Sequence, residues 1–296
     1  MKFVTVRQND EEMVGVLIEG RGIVPLYGCN LPYASMNQLI ANITDYEMKF
    51  LKRISEEYQE LIPLDAVDWC APIPEPKQDV ICVGLNYADH VKNAEKFSKE
   101  GFHANVRDSA VYFSKRVSVS KGDGENIVLP QHLSQQYDYE AELAVILGKD
   151  AYSIKKEDAK NYIFGYTILN DMTARNIQLD HKQWYYGKSL NGFTPMGPCI
   201  VTADEFSYPP VVSIESRVNG QLRQHGSSKN MIYGISEIIA DLSQGMTLKA
   251  GTIISTGTPK GTAMEGEKPV FLRPGDVVAC TIQGIGILTN TMVDYE

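Results

Sequence analysis

The chain has 296 residues, 43% hydrophobic and 22% charged, which suits a globular protein of one large domain or two unequal ones. Its 28 Lys and Arg stand against 37 Asp and Glu, a net charge of -9 with no basic stripe. Nucleic acid and anionic membrane are therefore excluded as expected partners, and an acidic substrate would need a metal or local cations to hold it. The five cysteines are scattered and form no C-x-x-C pair, which argues for reduced thiols and against a disulfide frame or thiolate zinc site. Met1 to Arg7 lacks signal-peptide character, and no apolar run approaches the roughly 18 residues of a membrane helix. A soluble, cytoplasmic protein is expected.

Residues 1–70 read as a small N-terminal unit. Val14–Ile18 and Gly22–Leu26 flank Glu19-Gly20-Arg21-Gly22 as a hairpin, and Ser35 to Leu61 carries apolar residues at near-helical spacing. A join at 71–78, with Pro72, Pro74 and Pro76, marks the boundary to a domain at 79–296. Asp79 to Gly84 reads as a buried strand. Asn86 is placed to cap a helix from Tyr87 to about Lys99, with His90 in its first turn as a structural hydrogen-bonding group or a catalyst. Another strand is expected at Ala110–Phe113. The C-terminal third has strands from Val211 to Val218, an Asn219-Gly220 turn, and a helix from Ile232 to Met246. It continues with a strand running into Gly257-Thr258-Pro259-Lys260-Gly261 and closing strands at 276–282 and 286–293. Strands outnumber helices without βαβ regularity, so the expected class is α+β, β-rich and mainly antiparallel.

The chemistry concentrates in Tyr137 to Gly148. From Leu143 the run is apolar until Gly148, a strand buried on both faces. Glu140 and Glu142 alternate onto one face, with Cα atoms about 6.5 Å apart at a rise of roughly 3.3 Å per residue. Two carboxylates at the mouth of a buried strand repel each other and resist desolvation, which a cation resolves; the alternative is a frayed strand end in water. Tyr162 to Asn170 is mostly apolar and β-rich, and Met172 to about Lys182 reads as helical. Asp171 is then an N-cap, or one member of a helix face with Arg175 and Gln178. Phosphate-loop, dinucleotide, serine-hydrolase and zinc-peptidase motifs are not completed anywhere.

Gly84-Leu85-Asn86-Tyr87-Ala88-Asp89-His90, Tyr139-Glu140-Ala141-Glu142-Leu143, Asp171-Met172-Thr173-Ala174-Arg175, Gly187-Lys188-Ser189 and Thr256 to Gly261 occur in that order. Together they resemble the fumarylacetoacetate hydrolase superfamily over about residues 79 to 294. The resemblance implies a mixed β-roll catalytic domain, FAH-like, behind a small N-terminal α/β domain, and a homodimer. It implies Mg²⁺ or Mn²⁺ on Glu140, Glu142 and Asp171, catalytic roles for His90 and Lys188, and substrate contacts from Arg175, Gln178 and Thr258.

The reaction the resemblance implies is C–C bond cleavage in a small 2-oxo acid through a metal-stabilised enolate, as hydrolysis or as oxaloacetate-type decarboxylation. Isomerisation or decarboxylation of 2-hydroxy-diene-dioates is the alternative within the family, and a non-catalytic oxo-acid-binding module the alternative outside it. Three carboxylates without His or Cys favour a hard cation. Lys188 is a second electrophile or a surface lysine. One departure from the family pattern matters. Asn93 stands where many members carry a glutamate partner for the histidine, which tilts the expectation from hydrolysis toward decarboxylation, since the latter needs no attacking water.

Overall fold

The structure, a computed structural model, describes residues 1–89, 109–265 and 268–295. The expected helix from Tyr87 to Lys99, with His90 and Asn93, lies almost wholly outside the described residues. In chain order the strands are β1 (Lys2–Gln8), β2 (Glu11–Ile18), β3 (Gly22–Pro25), β4 (Asp68–Trp69), β5 (Val80–Gly84) and β6 (Val111–Lys115). They continue as β7 (Asn126–Leu129), β8 (Tyr137–Asp138), β9 (Ala141–Leu147), β10 (Ile163–Asn170), β11 (Thr173–Ala174) and β12 (Met196–Thr202). The last are β13 (Ser213–Val218), β14 (Gln221–Ser227), β15 (Ile253–Ser255), β16 (Val277–Ile282) and β17 (Gly286–Asp294). Helices cover Met36–Asn42, Asp45–Glu57, Arg175–Asp180, Tyr185–Lys188 and Ile235–Gly245. This is a β-rich α+β fold. Among the described residues no helix is long and apolar enough to cross a membrane.

One ten-stranded sheet runs β3-β2-β1-β12-β10-β9-β15-β5-β6, with β4 added on β1; a five-stranded sheet runs β14-β13-β16-β17-β7. Neighbours are antiparallel except β15 with β5 and β17 with β7. The N-terminal hairpin is thus continuous with the rest, because Lys2 and Phe3 of β1 pair with Val201 and Ile200 of β12. Thr44 and Glu47 cap the Asp45–Glu57 helix reciprocally, each accepting from the other's backbone N–H. At Asn219-Gly220 both residues have positive φ, the geometry that lets a two-residue turn join β13 to β14.

Every residue of β9 is buried, and its alternation divides the core. Leu143, Val145 and Leu147 pack in the cluster that contains Ile214, Val278, Ile282 and Leu288 of the smaller sheet. Ala144 and Ile146 pack in the cluster that contains Phe3, Leu39, Ile40 and Leu51 of the N-terminal region. β9 sits between β10, which pairs along it from Ala141, and β15, which pairs at Ala144 to Ile146, and Glu142 near its start is buried.

Candidate metal and oxo-acid site

Register brings the acidic residues together. β9 and β10 pair with Leu169 opposite Glu142 and Asn170 opposite Ala141, and the next residue, Asp171, donates its backbone N–H to the Glu140 carbonyl at 2.8 Å. Glu140, Glu142 and Asp171 each present a carboxylate oxygen within 4.8 Å of the others, and all three are buried. Asn170 fixes the strand end by accepting the Glu140 N–H at 3.0 Å.

Asp171 is not a helix cap. Thr173–Ala174 forms a two-residue ribbon with Tyr137–Asp138, and the helix starts only at Arg175. Buried backbone groups there pair with the ribbon, overriding the helical spacing of the side chains. Arg175 and Gln178 nevertheless meet at the site. The Arg175 Nη1 donates to Gln178 Oε1 at 3.1 Å, Nη2 to Glu140 Oε1 at 2.6 Å, and Nε to Asp138 Oδ2 at 2.8 Å. Lys188 is buried, not a surface lysine. Its ammonium donates to Glu140 Oε2 at 2.8 Å and Asp171 Oδ2 at 2.6 Å, and lies 5.1 Å from the centroid of the Phe113 ring. Gly187 lets its helix come this close, since a Cβ there would stand 2.5 Å from the Gln178 backbone nitrogen. Thr258 is also at the strand mouth: its hydroxyl donates to the Ala141 carbonyl at 2.9 Å and accepts from Gln224 Nε2 at 2.7 Å.

Three further groups build the site and were not singled out by sequence. Lys115, at the end of the edge strand β6, is fully buried. It places its three ammonium protons on Asp171 Oδ1 at 2.5 Å, the Met172 carbonyl at 3.0 Å and the Phe193 carbonyl at 2.8 Å. Ser255 donates to Glu142 Oε2 at 2.5 Å, and the Gly257 N–H donates to the same oxygen at 2.9 Å. Gly257 takes φ +93, where a Cβ would stand 2.8 Å from the Asn86 Cβ and 2.9 Å from the Val83 carbonyl oxygen. Asn86 is held by that loop: its amide donates to the Thr256 and Tyr233 carbonyls and accepts from the Tyr233 N–H. Asp138 extends the Glu140–Glu142 alternation by one step, the one sequence signal that pointed to it. For Lys115 and Ser255 nothing in the local pattern distinguishes them from ordinary strand residues.

The charges do not balance. Asp138, Glu140, Glu142 and Asp171 face Lys115, Arg175 and Lys188, so the cluster carries one negative charge in excess when all are ionised. Glu142 is the carboxylate with no ion pair among the described residues. Burial, then the charges of Asp171 and Glu140, push it up to about 8. Burial alone would pull Lys188 down, but Asp171 and Glu140 outweigh it and hold the ammonium above its usual range. Burial pulls Lys115 down in spite of Asp171. An uncompensated buried carboxylate beside two others, with oxygen donors only, fits a hard divalent cation such as Mg²⁺ or Mn²⁺. Such an ion would turn the excess to one positive charge, which suits an anionic ligand.

Comparison with known proteins identifies the family. The chain is 38% identical to oxaloacetate tautomerase YisK of Bacillus subtilis over 304 aligned positions, covering 98% of this chain and 99% of that protein. A solved fumarylacetoacetate hydrolase from psychrophilic Exiguobacterium antarcticum superposes with a TM-score of 0.82 at 37% identity over the whole of both chains. Maleylpyruvate hydrolase from Sphingobium sp. SYK-6, solved with manganese(II) and pyruvate, gives 0.79 at 27% identity, again over both whole chains. Residues 79–293 match the fumarylacetoacetate (FAA) hydrolase C-terminal family, and the chain belongs to it.

Proposed function

We propose that this protein performs enolate chemistry on a small 2-oxo acid, with Mg²⁺ or Mn²⁺ at Glu140, Glu142 and Asp171. Keto–enol interconversion of an oxaloacetate-type diacid is the reaction that similarity to the oxaloacetate tautomerase YisK supports. The observation that carries the reading is the buried Glu142, without an ion pair among the described residues, beside Glu140 and Asp171 in a cluster that already holds three cations. A bound Mg²⁺ or Mn²⁺ supplies Lewis acidity that draws negative charge toward the carbonyl oxygen of the oxo-acid.

The chain's own residues do the rest. Lys188 stays an ammonium and is a hydrogen-bond donor to the developing oxyanion, not a base. Arg175 and Gln178 anchor a carboxylate, and the guanidinium fork gives that contact direction. The strands around β9 keep bulk water away, which strengthens each of these interactions. His90 is assigned the proton transfer at carbon on the resemblance, and it lies outside the described residues.

C–C bond cleavage is the second reading, supported by the maleylpyruvate hydrolase relative. It begins from the same polarised ketone, and Asn93 favours its decarboxylase form over its hydrolase form. The deciding experiment supplies the Mn²⁺-loaded protein with oxaloacetate, acetylpyruvate and a 2-hydroxy-diene-dioate. Enol–keto relaxation is followed by ultraviolet absorbance, and pyruvate release by a coupled assay. Faster relaxation of oxaloacetate without pyruvate supports the tautomerase; tight binding with no turnover of any of them points to a binding module.

A further inference from the structure

We propose that Asp138 is a positioning residue for the anionic end of the substrate, acting through Arg175; this rests on the oxo-acid reading above. Asp138 is completely buried and four N–H groups converge on its carboxylate. Oδ1 accepts from Tyr139 N at 2.8 Å and Ala263 N at 2.6 Å; Oδ2 accepts from Arg175 Nε at 2.8 Å and Met264 N at 3.2 Å. Among the described residues its carboxylate bonds to these four groups and not to the Glu142 or Asp171 side chain. It joins the arginine to the Ala263–Glu265 turn, which follows directly on the loop that carries Thr258.

The consequence is orientation. Of the five guanidinium N–H donors, three are fixed by Asp138, Gln178 and Glu140 among the described residues, leaving two for a ligand. With Nε pinned on one edge and Nη2 on Glu140, the plane of the fork is set before any ligand arrives, and less ordering is needed on binding. Because the same carboxylate caps the turn, arginine and loop hold one relative position. Asparagine cannot replace it, since its amide must turn an NH₂ toward two of the four incoming donors.

The test is a double-mutant cycle of Asp138→Asn and Arg175→Lys, read in two ways. For oxaloacetate with saturating Mn²⁺, Asp138→Asn should raise KM at least about tenfold and change kcat less than about threefold, with Mn²⁺ affinity within about threefold of wild type. Added to Arg175→Lys, it should change KM by less than about threefold, because the group it orients is gone. Additive effects on KM, or an equal loss of Mn²⁺ affinity, overturn the proposal. Independently of turnover, hydrogen exchange at the Ala263 and Met264 amides should quicken in Arg175→Lys; unchanged protection shows that Asp138 caps the turn alone and overturns the coupling. Absence of wild-type turnover refutes the oxo-acid reading, while the exchange result still decides the coupling, even where Asp138→Asn fails to fold.

Discussion

Replacing Glu142 by glutamine tests the link between charge, stability and metal. In the metal-free protein Glu142 is pushed from an ordinary 4.5 up to about 8, chiefly by burial and then by Asp171 and Glu140. A carboxyl with a raised folded-state pKa binds its proton more tightly in the folded than in the unfolded chain. The metal-free protein therefore loses stability as pH rises from the unfolded value through about 8. At about 1.4 kcal/mol per unit the loss is on the order of 3 kcal/mol at pH 7, rising toward 5 above pH 9. Glutamine keeps an acceptor for Ser255 and Gly257 and carries no charge, so the metal-free variant should be more stable than wild type at pH 9 and nearly flat in pH across that window. Mn²⁺ needs the ionised carboxylate. At pH 7 its binding should expel a proton from the raised Glu142 carboxyl of wild type, and the variant should bind at least about a hundredfold more weakly. Calorimetry in buffers of different ionisation enthalpy measures both quantities. Binding without proton release at pH 7, or a variant affinity within threefold of wild type, would refute the reasoning.

Lys188→Met should lower kcat on oxaloacetate by about a hundredfold or more, since it removes a preorganised donor to the oxyanion, while Mn²⁺ titration still shows one site. Gly257→Ala forces a left-handed backbone on a residue with a Cβ pressed against Asn86 and Val83, at a cost of about 1–3 kcal/mol. Thermal melting should fall by about 5 °C, with weaker Mn²⁺ binding as the Gly257 N–H leaves Glu142. Asn93→Glu should raise acetylpyruvate hydrolysis by at least about tenfold and leave decarboxylation of oxaloacetate little changed. Efficient hydrolysis already present in wild type, and unimproved, removes the significance given to Asn93.

The sequence determined what depends on local pattern. Five consecutive apolar residues, Leu143 to Leu147, bounded by Gly148 made β9 a fully buried strand, and the two-residue period put Glu140 and Glu142 on one side of its mouth. The Asn219-Gly220 turn and the hairpin at Glu19 to Gly22 were legible for the same reason, since backbone stereochemistry at a glycine turn is a property of neighbouring residues. The oxygen-only donor set already favoured a hard cation over zinc. Tertiary structure decided what depends on register and on distant partners. Asp171 meets Glu140 because β10 pairs with β9 one residue earlier, at Asn170 opposite Ala141, and helical spacing from Asp171 to Gln178 gave the right neighbours through the wrong geometry. Residues 1–70 read as a separate unit because prolines interrupt the chain after them, yet β1 pairs with β12 across nearly two hundred residues. Lys115, Ser255 and Asp138 stayed hidden because a buried polar contact is defined by its partner, and these contacts reach from 37 to 125 residues along the chain. That Glu142 has no ion pair among the described residues was likewise invisible, since it follows from where Lys115, Arg175 and Lys188 reach.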